Sequence, residues 1–346
     1  MTKISSYYNF GPILSRNAMI NMIIGARGLG KTYGAKLRVI KAAIRKREQF
    51  IYLRRYTTEL ESRHTFFADI ERHNAFPNYD FRVQGMEAHM APKSTRDEKN
   101  REWQTIGFFV ALSTAQKLKS KSYPLVTTMI FDEFILEKGA LHYLPNEVDA
   151  FLNLYSTVDR WEDRVRVLML ANSVSIMAPY FSKWDITPDM AADGERAIRE
   201  WHKFGGGFGV AHFPEAAQFR AEAERTRFGR FVSNTAYGDF AMTNRFADNH
   251  DNLIGSKTRQ ASYVGTIKVA SGEKFSVWKD QLGFSVQEKL PKDEVKYSMS
   301  PVGLADDETL LTKSSPLIKV LRSSFSHGGM VFDKPFTRNM FIKAVI

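Results

Sequence analysis

Several short, largely apolar runs punctuate the first half of the chain, at 19–24, 49–54, 126–131 and 165–170. Each has the length and bulk of a strand covered on both faces. Between the first two, Tyr33, Leu37, Ile40, Ala43 and Ile44 recur at helical spacing, with Lys36, Arg38, Lys41 and Arg45 on the remaining arc. A second helix is predicted over 145–161, where Val148, Phe151, Leu152 and Tyr155 share a face behind Pro145. A polar helix is expected over 58–74, and two β-like runs over 80–90 and 103–112. Strands alternating with helices imply a doubly wound α/β fold around a parallel sheet. Its ligand belongs beyond the carboxyl ends of the strands.

The pattern changes near Trp201. Gly205, Gly206, Gly207 and Gly209 read as a flexible joint. Residues 216–231 keep a charged helical period, and from 261 onward short alternating runs (263–269, 274–278, 283–286) suggest an antiparallel meander followed by a helix within 309–325. The expected organisation is a domain over 1–204, a linker with helices over 205–249, and a small α+β domain over 250–346.

The chemistry concentrates at strand ends. Directly after the first run comes Gly25-Ala26-Arg27-Gly28-Leu29-Gly30-Lys31-Thr32. This is G-x-x-x-x-G-K-[ST] between a strand and a helix, the pattern of a P-loop. Glycines let the backbone curl so that N–H groups face phosphate oxygens. Lys31 supplies a point charge to the β- and γ-phosphates, and Thr32 a hydroxyl to Mg²⁺. Asp132 and Glu133 end the run 126–131. An apolar strand fixes Asp132 where it can bind Mg²⁺, and places Glu133 to deprotonate an attacking water. Asn172 follows the next run, where an amide could sense the γ-phosphate. A site of this kind also needs a cation on the leaving phosphate, often from a neighbouring subunit. Arg160, at the end of the second helix, is the first candidate and Arg164 the second. Lys119, in the basic connector 117–122, could cross the same interface or touch DNA.

Composition narrows the alternatives. The chain has no cysteine, so disulfides and thiolate metal sites are excluded, and its eight histidines show no ligand spacing. No G-x-S-x-G occurs. No apolar run approaches a membrane span, and no leader pattern opens the chain, so a soluble cytoplasmic protein without membrane contact is expected. The formal net charge is +11, and the first 47 residues hold ten Lys/Arg and no Asp/Glu. Such an excess implies a polyanionic partner beyond one bound nucleotide.

Several stretches together resemble the genome-packaging ATPases of phi-twenty-nine-like podophages. They are residues 25–32, 49–56 (Gln-Phe-Ile-Tyr-Leu-Arg-Arg-Tyr), 131–135 (Phe-Asp-Glu-Phe-Ile), 145–148 (Pro-Asn-Glu-Val), 152–154, 164–166, 171–175 and 226–230. The resemblance is dense over 7–180 and thin beyond 245. It implies an additional-strand, catalytic-glutamate P-loop fold of the RecA/FtsK-HerA kind. It implies an ATP- and Mg²⁺-dependent motor that drives double-stranded DNA, irrespective of sequence, through the portal (connector) of a preformed prohead in the host cytoplasm. It further implies a homo-oligomeric, pentameric ring, Arg160 as the trans-acting arginine finger, and Lys119 as a second interface cation. The C-terminal domain would resemble an RNase H-like nuclease that has lost its acids and meets a packaging RNA. Run 263–269 carries no carboxylate, in keeping with that loss. Two alternatives stay open: a motor with an active terminase-type nuclease, and a non-hydrolysing nucleotide-binding scaffold on the capsid.

Overall fold

A computed structural model of the protein describes residues 7–93, 101–118, 120–136, 142–172, 178–184, 186, 201–214, 217–233, 235, 253–270, 272–291, 295–327 and 329–345. The chain divides into two compact units, Met1–Asp248 and Asn249–Ile346.

The first unit is built on a nine-stranded sheet in the order β3-β4-β5-β2-β6-β7-β1-β9-β8. Its strands are β1 (Ile20–Gly25), β2 (Gln49–Arg54), β3 (Tyr79–Gln84), β4 (Glu87–Pro92), β5 (Gln104–Ala111), β6 (Val126–Asp132), β7 (Arg166–Asn172), β8 (Trp201–Phe204) and β9 (Gly209–His212). The six central strands, β5 to β9 in that order, pair in parallel, and antiparallel strands close both edges. All six residues of β1 are buried. Met22 and Ile24 enter one core layer and Ile23 the other, because successive side chains leave a strand on opposite faces. That two-sided burial is why β1 reads as a continuous apolar run and not an alternating one.

Helix α1 (Gly11–Leu14) is a single turn; α2 (Lys31–Lys46) follows β1 and packs on one face of the sheet with α3 (Ala68–Arg72), α6 (Ala217–Glu224) and α7 (Arg227–Val232). The opposite face carries α4 (Glu147–Asp159) and α5 (Pro179–Lys183). Strand β7 inserts between β1 and β6. The glycine loop and the acidic couplet therefore leave the same sheet edge one strand apart, the additional-strand arrangement.

Two expectations are corrected. The polar helix over 58–74 is a 3-10 segment, Thr57–Thr65, followed by the five-residue α3. Leu60 is the only buried residue of the former, so no apolar stripe holds a regular helix there. Gly205–Gly207 is no joint. It turns β8 into β9, which pairs with β1, so the first unit runs on to Asp248 and does not stop at residue 204 before a linker over 205–249.

The second unit is a six-stranded sheet in the order β14-β13-β10-β11-β12-β15. The meander β10 (Ser262–Lys268), β11 (Lys274–Asp280) and β12 (Gly283–Gln287) comes first; β13 (Tyr297–Ser298) and β14 (Thr309–Leu310) then extend it in parallel from β10, and β15 (Met330–Phe332) from β12. Helices α8 (Pro316–Ser326) and α9 (Pro335–Val345) cover one face, where Ile318, Leu321, Phe341 and Val345 meet Ile267, Phe275, Val277 and Val286.

Candidate nucleotide-binding and catalytic site

Gly25 ends β1 in register with Asn172 on β7. The loop then turns through Gly28 (φ 86°) and Gly30 (φ 72°), backbone conformations that disfavour a Cβ. Space forbids one as well: a Cβ on Gly30 would run into the ring of Tyr7. Ala26 and Leu29 anchor the loop in the core, whereas Arg27 and Gly28 are exposed. The N-terminal stretch braces the turn, since Tyr8 N donates to Leu29 O at 2.8 Å. On another side the ring of Phe219 lies against Gly28.

Lys31 is buried, and its Nζ donates to the carbonyls of Gly25 (2.9 Å) and Ala26 (2.8 Å) and to Oδ1 of Asn172 (3.3 Å). Burial lowers its pKa to about 8, against the opposing pull of Asp132. Thr32 Oγ1 donates to the Asp132 carboxylate at 3.0 and 3.1 Å, across 100 residues of sequence. Tyr52 Oη donates to the same carboxylate at 2.8 Å. Burial pushes the Asp132 pKa up, while Arg54 and the two hydroxyl donors pull it down. Lys31, Thr32, Asp132 and Asn172 thus converge at one place.

Glu133 stands one residue beyond the strand with φ 56°. Its carboxylate accepts from Arg54 Nη2 at 2.5 Å, and the same guanidinium holds Glu59 at 2.8 Å. Burial disfavours the Arg54 charge, yet Tyr52, Glu133, Asp132 and Glu59 together outweigh it and raise its pKa.

The next residue, Arg55, is fully buried. It grips both carboxylate oxygens of Glu147 (2.7 and 2.8 Å) and donates to the carbonyls of Glu133 (3.4 Å) and Phe134 (2.7 Å). Glu147 also accepts from Tyr180 Oη (2.8 Å) and Leu144 N (2.8 Å). This hub fixes the loop after β6 to the first turn of α4. Losing one partner of such a buried pair typically costs about 3–5 kcal/mol, because the other is left uncompensated.

At its far end α4 stops at Arg160, in the left-handed conformation with φ 52°. The carboxylate of Asp159 shapes the following turn by accepting from the amides of Asp163, Arg164 and Val165. Arg160 is exposed, and among the described residues its guanidinium has no partner. Arg164 differs: its guanidinium meets Glu162 and the carbonyls of Val158 and Val126 within its own unit. Lys119 lies outside the described residues.

Sequence reasoning missed the hub and the aromatic braces. The signals were present as Arg54-Arg55 closing an apolar strand and as Glu147 behind Pro145. A buried arginine is legible only when its carboxylate, 92 residues away, is known to be near.

The chain is similar to several known proteins. A "DNA packaging protein" of Bacillus phage B103 is 34% identical over 333 residues, 95% of this chain and 97% of that one. A solved bacteriophage phi29 viral genome packaging motor assembly superposes with TM-score 0.69 at 32% identity, covering 98% of each chain. The crystal structure of the N-terminal domain of the phi29 DNA packaging ATPase matches 61% of this chain and 97% of its own length, with TM-score 0.51 and 36% identity. The profile of one family matches residues 1–345, and the chain accordingly belongs to that family, the Podovirus DNA encapsidation protein (Gp16).

Proposed function

We propose that the protein is an ATP-hydrolysing motor that moves double-stranded viral DNA through the portal into a preformed capsid. The observation that carries this is the contact of Thr32 with Asp132 beside buried Lys31, which assembles a nucleotide site from segments 100 residues apart. Relatives named for DNA packaging over nearly the full length supply the polymer.

A hydroxyl and a carboxylate brought together at 3.0 Å are hard oxygen donors suited to magnesium. Thr32 and Asp132 would hold that ion, which when bound neutralises charge on the phosphates. Residues 25–32 wrap the triphosphate, and Lys31 turns its ammonium from the loop carbonyls to phosphate oxygens. Glu133 accepts the proton of the attacking water while the bond from the γ-phosphorus to the ADP oxygen breaks. Asn172, already on Lys31, is placed to register the loss of the γ-phosphate. The leaving phosphate's charge is met by Arg160 of a neighbouring subunit in a ring, which we take to be pentameric.

The second unit fits an RNase H-like sheet, with three antiparallel strands followed by two short ones parallel to the first. Strand β10 carries no Asp or Glu where a nuclease would need carboxylates, and its Lys268 neutralises Glu308 at 3.1 Å. A vestigial role as a docking unit, for portal or packaging RNA, accords with this.

The test is ATP hydrolysis by purified protein with and without duplex DNA and portal-bearing proheads. Stimulation by the two together and DNA protected from nuclease inside the prohead are expected; hydrolysis indifferent to both would remove the motor reading. A second expectation follows from Lys31. With its pKa near 8, about half the molecules at pH 8 carry it neutral, and phosphate favours the charged form. Binding of the magnesium complex of ATP should therefore take up a fraction of a proton at pH 8, and less at pH 7 where Lys31 is already charged. Calorimetric titration in two buffers of different protonation enthalpy measures this directly, and a binding heat independent of buffer at pH 8 would contradict it.

A further inference from the structure

Ten cations crowd the first 47 residues without one acid. Four of the nine on described residues have identifiable work. Lys31 serves the loop, Lys36 pairs with Asp69 at 3.2 Å, Lys46 with Glu48 at 3.5 Å, and Arg16 stacks on Trp201 at 3.9 Å. Arg38, Lys41 and Arg45 do not fit this pattern. All three are exposed on α2 and have no partner among the described residues. At 100° per residue they lie within about 60° of arc and about 10 Å of helix length.

Arg38 and Lys41 are three apart, and Lys41 and Arg45 four apart, so like charges face each other and each pair costs a few tenths of a kcal/mol in the isolated helix. Several other cations of this unit are matched, as in Arg101–Asp80, Arg166–Asp163 and Arg220–Glu224, whereas Arg160, like the stripe, has no partner among the described residues. The stripe forms a ridge between two clefts of about 250 and 420 Å³, both lined by Lys41 and Arg45. No large apolar side chain of α2 is exposed, so the ridge itself carries no aromatic or aliphatic anchor of the kind a protein interface uses, and Ile44, Phe76 and Tyr79 are half-buried in the wall of the smaller cleft beside it. A row of cations without such anchors suits a phosphate backbone, bound irrespective of sequence.

We propose that Arg38, Lys41 and Arg45 on the outer face of α2 form a contact surface for the phosphate backbone of double-stranded DNA, separate from the nucleotide site. This rests on the packaging reading above for its polymer. The surface lies on the helix that begins at the P-loop, so DNA held there would bear on the element that grips ATP.

The experiment uses the full chain and a fluorescein-labelled duplex of roughly 30 base pairs, with affinity measured by anisotropy across a salt series. The triple variant Arg38→Gln/Lys41→Gln/Arg45→Gln should lower affinity at least about tenfold and reduce the salt slope by about one unit per cation. A matched variant, Lys289→Gln/Lys313→Gln/Lys319→Gln, removes the same charge from exposed positions of the second unit and should leave the slope near the parental value. Hydrolysis without DNA should be unchanged in both, which excludes misfolding. An unaltered slope in the first variant, or an equal loss in the second, overturns the proposal; the former would leave the stripe to an acidic protein surface. Parental protein that hydrolyses ATP but binds no duplex would defeat the packaging reading itself, a result distinct from either.

Discussion

Glu133→Gln should bind ATP as the parent does and hydrolyse it about 100- to 10,000-fold more slowly, the range associated with losing a positioned general base. The substitution keeps the size of the side chain and one acceptor oxygen for Arg54, so the 2.5 Å contact with that guanidinium is weakened and not abolished. It leaves Lys31, Thr32 and Asp132 untouched, and these carry the phosphate and metal contacts of the proposed mechanism. Binding of a fluorescent ATP analogue, measured beside steady-state phosphate release, separates the two effects. Unchanged turnover would exclude Glu133 as the base, and equal losses of binding and turnover would make it a structural residue. Arg54 sharpens the expectation. Its guanidinium occupies one oxygen of that carboxylate, so the attacking water must use the other oxygen or displace the contact.

How much of this was legible beforehand differs from residue to residue. Gly25–Thr32 announced a phosphate loop because glycine spacing, a preceding apolar strand and a following helix are all local features. Asp132 was readable because a two-sided buried strand ends abruptly in acid. The parallel sheet followed from alternation, since β1, β2, β6 and β7 each carry a dense apolar run, but alternation does not say which strands are neighbours. By contrast, β8 and β9 are four residues each and are joined through three glycines, so local composition spelled a hinge. Only pairing with β1 makes them part of the sheet, and pairing is not a local property. The segment Thr57–Thr65 misled for the opposite reason. Its residues tolerate a helix, but Glu59 is used to hold Tyr56 N and Arg54, and that tertiary demand wins over a weak propensity. Arg55 and Glu147 were unreadable as a pair, because a buried charge is recognised by its partner and not by its neighbours in sequence.

Arg160→Ala should lose about 1,000-fold or more in hydrolysis, the scale attributed to an arginine finger supplied in trans. The structure argues for this residue over Arg164 on two grounds. Arg164 spends its guanidinium on Glu162, Val158 and Val126 inside its own unit, whereas Arg160 points its side chain to solvent from a turn that Asp159 holds rigid. The helix behind it spans 13 residues and is clamped at its start by Arg55 and Glu147, so Arg160 is carried on a stiff strut rooted beside Glu133. The decisive measurement mixes two inactive proteins. In a ring of Arg160→Ala and Glu133→Gln subunits, a site with an intact Glu133 from the first and an intact Arg160 from the second is complete. Random assembly of equal amounts should restore roughly one quarter of the parental rate, although neither variant works alone. Lysine at 160 should rescue poorly, because a point charge cannot reproduce the planar fork that spans two phosphate oxygens. If the mixture is no more active than its parts, Arg160 acts within its own subunit. If Arg160→Ala alone keeps the parental rate, the cation that meets the leaving phosphate is another residue.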